Sequence, residues 1–233
     1  MLEVIPILCR AGQMDNYAYL LVDKNTGTAA VLDASEAEPI IEECERRKIR
    51  PQFLLNTHHH FDHVEGNAEL KALFGAKIVG AAKDKSRIEG LDISLNDGDV
   101  FKIGDSEARI ISADGHTIGH ILWYFVQDKV LFTGDTLFNL SIGGLFEGTP
   151  EQMWNSLQKI KQLPDDVLFY PGHEYTAYGM NALEGEAGRK YAEKVQKRLS
   201  EGKPAGPISL GEEKECNPYL KIDKLQDFCR LFN

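Results

Sequence analysis

The sequence predicts an α/β fold in which a mixed sheet, or a pair of sheets, is covered by helices and followed by a short helical tail. Three observations point to it. Short β-type runs fill the first two thirds of the chain, helical periodicity falls between some of them, and strand signal ends after Tyr175. Hairpin-type turns occur alongside strand-helix-strand alternation. That combination fits a mixed sheet better than a single doubly wound parallel one.

The elements follow in order. Residues 2–7, 17–22, 28–32, 53–56, 76–79, 100–103, 108–112, 121–126 and 130–133 read as strands, being rich in β-branched and aromatic residues. Lys24-Asn25-Thr26-Gly27, Asn96-Asp97-Gly98-Asp99 and Gln127-Asp128-Lys129 read as tight connections. Residues 38–48, 67–74 and 149–163 read as helices. Thr149, Pro150 and Gln152 offer the third a capped start. Beyond Tyr175, Ala187, Tyr191, Val195 and Leu199 recur every four residues in a charged helix. Lys203-Pro204-Ala205-Gly206-Pro207 breaks that helix, and the stretch through Asn217-Pro218-Tyr219 reads as irregular before a short amphipathic end. A catalytic domain over 1–173 and a helical extension over 174–233 are the expected organisation, with no internal repeat.

A chain of 233 residues, 42% hydrophobic and 27% charged, can bury one large core. Its 26 Lys+Arg against 36 Asp+Glu give a formal charge of −10, so a nucleic-acid partner is not expected. The opening Met1-Leu2-Glu3-Val4-Ile5-Pro6-Ile7-Leu8 has too short an apolar run for a signal peptide, and no run approaches membrane-spanning length. Cys9, Cys44, Cys216 and Cys229 show no C-x-x-C pairing and are expected to act as small hydrophobes in a reducing, cytoplasmic setting.

All seven histidines lie in three short stretches: Thr57-His58-His59-His60-Phe61-Asp62-His63, Gly115-His116-Thr117-Ile118-Gly119-His120 and Pro171-Gly172-His173-Glu174-Tyr175. Imidazole is the commonest nitrogen donor for zinc or iron, and such crowding of titratable groups packs a core poorly, so a metal site is expected. In an extended segment positions i and i+2 share a face, so His58 and His60 could grip one ion as the strand from Phe53 runs out. Asp62 and His63 follow at once and could reach a second. His116 and His173 sit beside glycines after strand-like runs, and Asp135 follows a strand in Thr133-Gly134-Asp135-Thr136, where its two oxygens suit a bridging carboxylate. His59 points opposite its neighbours and is expected, like His120, to support rather than bind.

With Gly66-Asn67, Leu137-Phe138, Phe146-Glu147-Gly148-Thr149 and Tyr175-Thr176 added to these stretches, residues 2 to 185 resemble glyoxalase II, the hydroxyacylglutathione hydrolases. The resemblance implies the metallo-β-lactamase fold, an αβ/βα four-layer sandwich, and hydrolysis of S-D-lactoylglutathione or a related 2-hydroxyacyl thioester to D-lactate and free thiol. It implies His58, His60 and His116 on one metal, Asp62, His63 and His173 on the other, and Asp135 between them. Asp62 and Asp135 are read as catalytic carboxylates as well as ligands. Tyr175 takes the place of a substrate contact. Gly144 stands where the family usually has a glutathione-binding lysine and Phe146 where it has a tyrosine; the family's basic Arg-x-x-Lys near the C-terminus has no clear counterpart.

Two divalent ions are expected, zinc first, with iron or manganese also accepted by histidine-carboxylate sets. A water they share has its pKa drawn toward about 7, so hydroxide is available to attack the thioester carbonyl. A thiolate, with a pKa near about 8.5, leaves without strong acid assistance. The expected partner is a small-molecule thioester, with neither membrane nor nucleic acid, for a monomer or dimer. An iron-dependent persulfide dioxygenase of the same fold is the alternative, with other hydrolases of the fold behind it.

Overall fold

A computed structural model describes residues 1–232; the last position of the expected extension lies outside them. Two compact units divide the described residues, Met1–Ser112 with Gly119–Asp128, and Ala113–Ile118 with the residues from Lys129 onward.

In the first unit a six-stranded sheet runs in sequence order: β1 (Leu2–Cys9), β2 (Asn16–Asp23), β3 (Ala29–Leu32), β4 (Phe53–Leu55), β5 (Lys77–Ala81) and β6 (Ile93–Leu95). Its first two pairings are antiparallel and the rest parallel. Parallel neighbours need crossovers, and helices supply two of them: α1 (Ala37–Arg47) between β3 and β4, and α3 (Asn67–Phe74) between β4 and β5. Helix α1 buries Ala37, Ile40 and Cys44 along one stripe, against Ile5, Leu20, Val31 and Leu54 of the sheet. It stops at Lys48, which turns left-handed and donates to the carbonyls of Cys44 and Glu45. A one-turn helix, α2 (Phe61–Val64), precedes α3. Strands β7 (Val100–Ile103), β8 (Ser106–Ser112) and β9 (Ile121–Phe125) pair antiparallel in turn, and every residue of β9 is buried.

In the second unit β10 (Val130–Gly134) pairs parallel with β13 (Leu168–Pro171), and β13 antiparallel with β14 (Ile208–Ser209). Between them lie a hairpin, β11 (Leu137–Phe138) with β12 (Ser141–Ile142), and helix α4 (Pro150–Lys161). Thr149 caps α4 through a reciprocal pair with Gln152, as its sequence predicts. After α5 (Thr176–Gly179) come α6 (Gly185–Ser200), α7 (Leu210–Cys216) and α8 (Leu225–Cys229). Phe228 of α8 packs on Trp154 of α4, ring centroids 5.4 Å apart.

The tail departs from its expectation in two places. It contributes β14, and the stretch expected to be irregular holds α7, capped by a reciprocal Ser209–Glu212 pair. Cys9 and Cys44 are buried as expected, and burial pushes both thiols up to about 11. No helix among the described residues is long and apolar enough to cross a membrane.

Candidate metal centre

The first half of the expected ligand set stands at the carboxyl end of β4, where loops of parallel strands converge. The strand ends at Leu55, one residue earlier than its sequence suggests, and His58 and His60 lie in the following loop. Their rings are still neighbours, with centroids 4.7 Å apart at 75°. Asp62 and His63 sit on α2, where the chain turns after His60. Asn16 Nδ2 donates to Asp62 Oδ2 at 2.9 Å and to its carbonyl at 3.0 Å, while Asn56 Nδ2 donates to the His63 carbonyl at 3.2 Å. Gly66 allows the turn to close, since a Cβ there would press on the Ala34 carbonyl.

Asp33 organises this loop from outside it. It follows β3 in the left-handed region, accepts from Thr57 N and Thr57 Oγ1 at 2.8 Å each, and lies 3.1 Å from His63 Nδ1. The negative charge of a carboxylate so near Nδ1 favours the proton there and leaves the Nε2 lone pair for a metal. His63 Nε2 is 3.5 Å from Asp62 Oδ2. The Thr57 hydroxyl also stands 3.0 Å from His58 Nδ1. His120, fully buried, stacks on His58 with centroids 4.9 Å apart, and His59 Nδ1 faces Asp84 at 3.7 Å. Sequence reading missed Asp33, although it carries the signal that marked Asp135: an acid directly after a buried strand.

The second half is built by loops of the second unit. Asp135 follows β10 past a register irregularity at Gly134, and the Gly172 amide donates to the Gly134 carbonyl at 2.8 Å, seating His173 beside it. One oxygen of Asp135, Oδ2, lies 3.2 Å from His173 Nε2 and 3.4 Å from His116 Nε2. His116 Nδ1 stands 2.7 Å from the carbonyl of Gly144, so its proton belongs on Nδ1. A neutral ring so held turns its Nε2 lone pair onto a carboxylate oxygen, an arrangement that a divalent cation stabilises. The donor set therefore fits a metal. Among these groups His58, Asp62, His63, His116, Asp135 and His173 are all buried, and His60 is half-buried.

The three expected substrate contacts also have places here. Tyr175 stacks on His173, centroids 4.7 Å apart at 14°, and meets the edge of Phe138. Phe146 is 73% exposed and stands edge-on to His116 at 5.1 Å, a position from which it could meet a ligand. Gly144 contributes its carbonyl rather than a side chain.

Comparison with known proteins agrees with this reading of the fold. The model of the metallo-beta-lactamase superfamily matches residues 11–173, and that of the hydroxyacylglutathione hydrolase C-terminus matches residues 180–230. The hydroxyacylglutathione hydrolase of Pelagibacter ubique (strain HTCC1062) is 42% identical over 222 residues, 93% of either chain. That of Chelativorans sp. (strain BNC1) is 44% identical over 94% of this chain and 87% of its own. In structure, ETHE1 from Myxococcus xanthus is similar with a TM-score of 0.76 at 22% identity, over 98% of this chain and 89% of that one, a likeness of fold. The chain belongs to the metallo-beta-lactamase superfamily and, within it, to the hydroxyacylglutathione hydrolase family, glyoxalase II.

Proposed function

We propose that this chain is a metal-dependent thioester hydrolase that converts S-D-lactoylglutathione, or a related 2-hydroxyacyl thioester, to D-lactate and free thiol. The observation that carries the reading is its identity of above 40% to hydroxyacylglutathione hydrolases over more than nine tenths of the chain. Divalent metal is part of it, and we assign two ions, zinc before iron or manganese. His58, His60 and His116 would hold one, Asp62, His63 and His173 the other, and Asp135 would touch both. Donor chemistry supports the assignment, since a set of imidazoles and carboxylates accepts each of these ions.

When bound, such an ion pair supplies Lewis acidity, lowering the pKa of coordinated water and polarising a carbonyl oxygen. The chain's own residues do the rest. Asp33, Thr57 and the Gly144 carbonyl fix imidazole tautomers, and Asn16 holds the Asp62 carboxylate in one rotamer. In the reaction water gives up one proton to solvent, its oxygen bonds to the acyl carbon, the C–S bond breaks, and the thiolate departs from the carboxylic acid so formed. No strong acid is needed for that leaving group. Tyr175 and Phe146 border the ligands on the side where we place the thiol, with Gly144 offering no cation to it. Residues 1–173 would carry the chemistry and the extension would complete the thiol side, in a cytosolic protein.

The test is release of thiol from S-D-lactoylglutathione, followed with a disulfide reagent beside metal quantitation. Turnover that a chelator abolishes and zinc restores is expected. Absence of turnover with metal loaded, or one iron per chain with oxygen uptake, would sink the reading.

A further inference from the structure

The β11–β12 hairpin turns through only two residues, Asn139 and Leu140, and Leu140 is a buried leucine with φ of +61°. A β-carbon disfavours that left-handed conformation, so something must hold it. The tail does. Glu213 of α7, fully buried, accepts from Leu140 N at 2.5 Å and from Asn217 Nδ2 at 2.8 Å, and its other oxygen accepts from the Tyr191 hydroxyl at 2.7 Å. Tyr191 in turn accepts from Asn139 Nδ2 at 3.0 Å. Asn217, four residues past Glu213, also donates to the carbonyls of Ser141 at 3.2 Å and Phe138 at 3.4 Å, on either side of the turn.

The other end of the same hairpin touches the metal centre. Two residues after β12, the Gly144 carbonyl receives His116 Nδ1. Gly143 sits where any β-carbon would overlap the Asp135 carbonyl. Phe138 stands edge-on to His173 at 5.7 Å and to Tyr175 at 5.3 Å. The turn is thus clasped by α7 on one side and feeds His116 on the other.

We propose that Glu213 and Asn217 are positioning residues for the metal centre, holding the Leu140 turn so that the Gly144 carbonyl fixes the tautomer and direction of His116. This rests on the metal-dependent reading above. Without Glu213 the buried Leu140 amide loses its acceptor, the turn relaxes out of the left-handed region, and the Gly144 carbonyl moves with it. Glu213→Gln keeps an oxygen for Leu140 and Asn217 and should rescue. Tyr191→Phe removes a hydroxyl from the same network while leaving the Leu140 anchor in place.

The experiment compares full-length wild type, Glu213→Ala, Glu213→Gln, Tyr191→Phe and Asn217→Ala. Zinc affinity is read by competition with a colorimetric chelator, the His116 tautomer by imidazole nitrogen resonances, and thiol release by kinetics. Glu213→Ala is expected to weaken zinc about 10–100-fold, the usual cost of losing support behind a ligand, with a mixed His116 tautomer. Glu213→Gln and Tyr191→Phe are expected to bind zinc like the wild type even where they melt earlier. Wild-type zinc affinity and tautomer in a folded Glu213→Ala overturn the proposal, as does an equal loss in Tyr191→Phe. Should Glu213→Ala not fold, Asn217→Ala decides, weakened zinc supporting and unchanged zinc overturning. A wild type that binds zinc but turns over no thioester refutes the activity and leaves this comparison standing.

Discussion

Asp33 takes two hydrogen bonds from Thr57 and faces His63 Nδ1, so its charge and its acceptor geometry both bear on one imidazole. Asp33→Asn can still meet Thr57 but presents an amide to a ring N–H, which pushes the proton to Nε2. Metal affinity about 10–100-fold lower is expected, with zinc competition as the measure and unchanged folding by circular dichroism as the control. Glu213 makes a different prediction. Burial pushes its carboxyl from the usual 4.5 up to about 7, against hydrogen bonds from Tyr191, Leu140 and Asn217 that favour the charged form. The folded state therefore holds this proton more tightly than the unfolded chain, a contribution fully present below about 4.5 and lost as pH rises through about 7. Relative to Glu213→Gln, wild type should gain unfolding free energy between pH 7 and pH 5 in urea titrations at fixed metal; a constant difference would contradict it. At this scale the sequence was most legible where residue type is scarce: histidines found nowhere but in three stretches announce themselves. Asp33 and Glu213 belong to 36 acids and carry no such mark.

Thr149 illustrates the element scale, because its capping pair with Gln152 and the proline at the next position start α4 as the sequence predicts. Thr149→Ala is expected to cost about 1 kcal/mol, seen as a lower melting temperature with metal affinity unchanged. The long strands were legible because alternation or a continuous apolar run over four or more residues is a signal. Strands β6, β11, β12 and β14 span two or three residues each, too few to show any period, and exist because a neighbouring backbone is there to pair with. Helix α7 was hidden differently. Its Ser209-x-x-Glu212 start is a readable cap, but Pro207 and Gly211 stand around it, and seven residues without an apolar stripe show no helical period. The helix under Asp62 and His63 was not legible, since one turn after a strand end leaves no periodic trace.

For the whole molecule, a metal held by buried imidazoles and carboxylates would be a folding ligand as well as a catalytic one. Zinc in hundredfold excess over its dissociation constant should raise stability by about 2.7 kcal/mol per site, so melting temperature is expected to climb with zinc and fall back with chelator. A melting curve indifferent to both would mean that folding does not depend on the ion. The class of fold was legible at this scale; the clasp of the tail on the hairpin was not, because 73 positions separate Leu140 from Glu213 and no local pattern spans them. That separation sets an order of maturation. On the proposed arrangement, a polypeptide interrupted before Glu213 would already carry every proposed ligand and yet hold His116 loosely. Incomplete translation or tail proteolysis would then leave metal-poor fragments, not prematurely active ones.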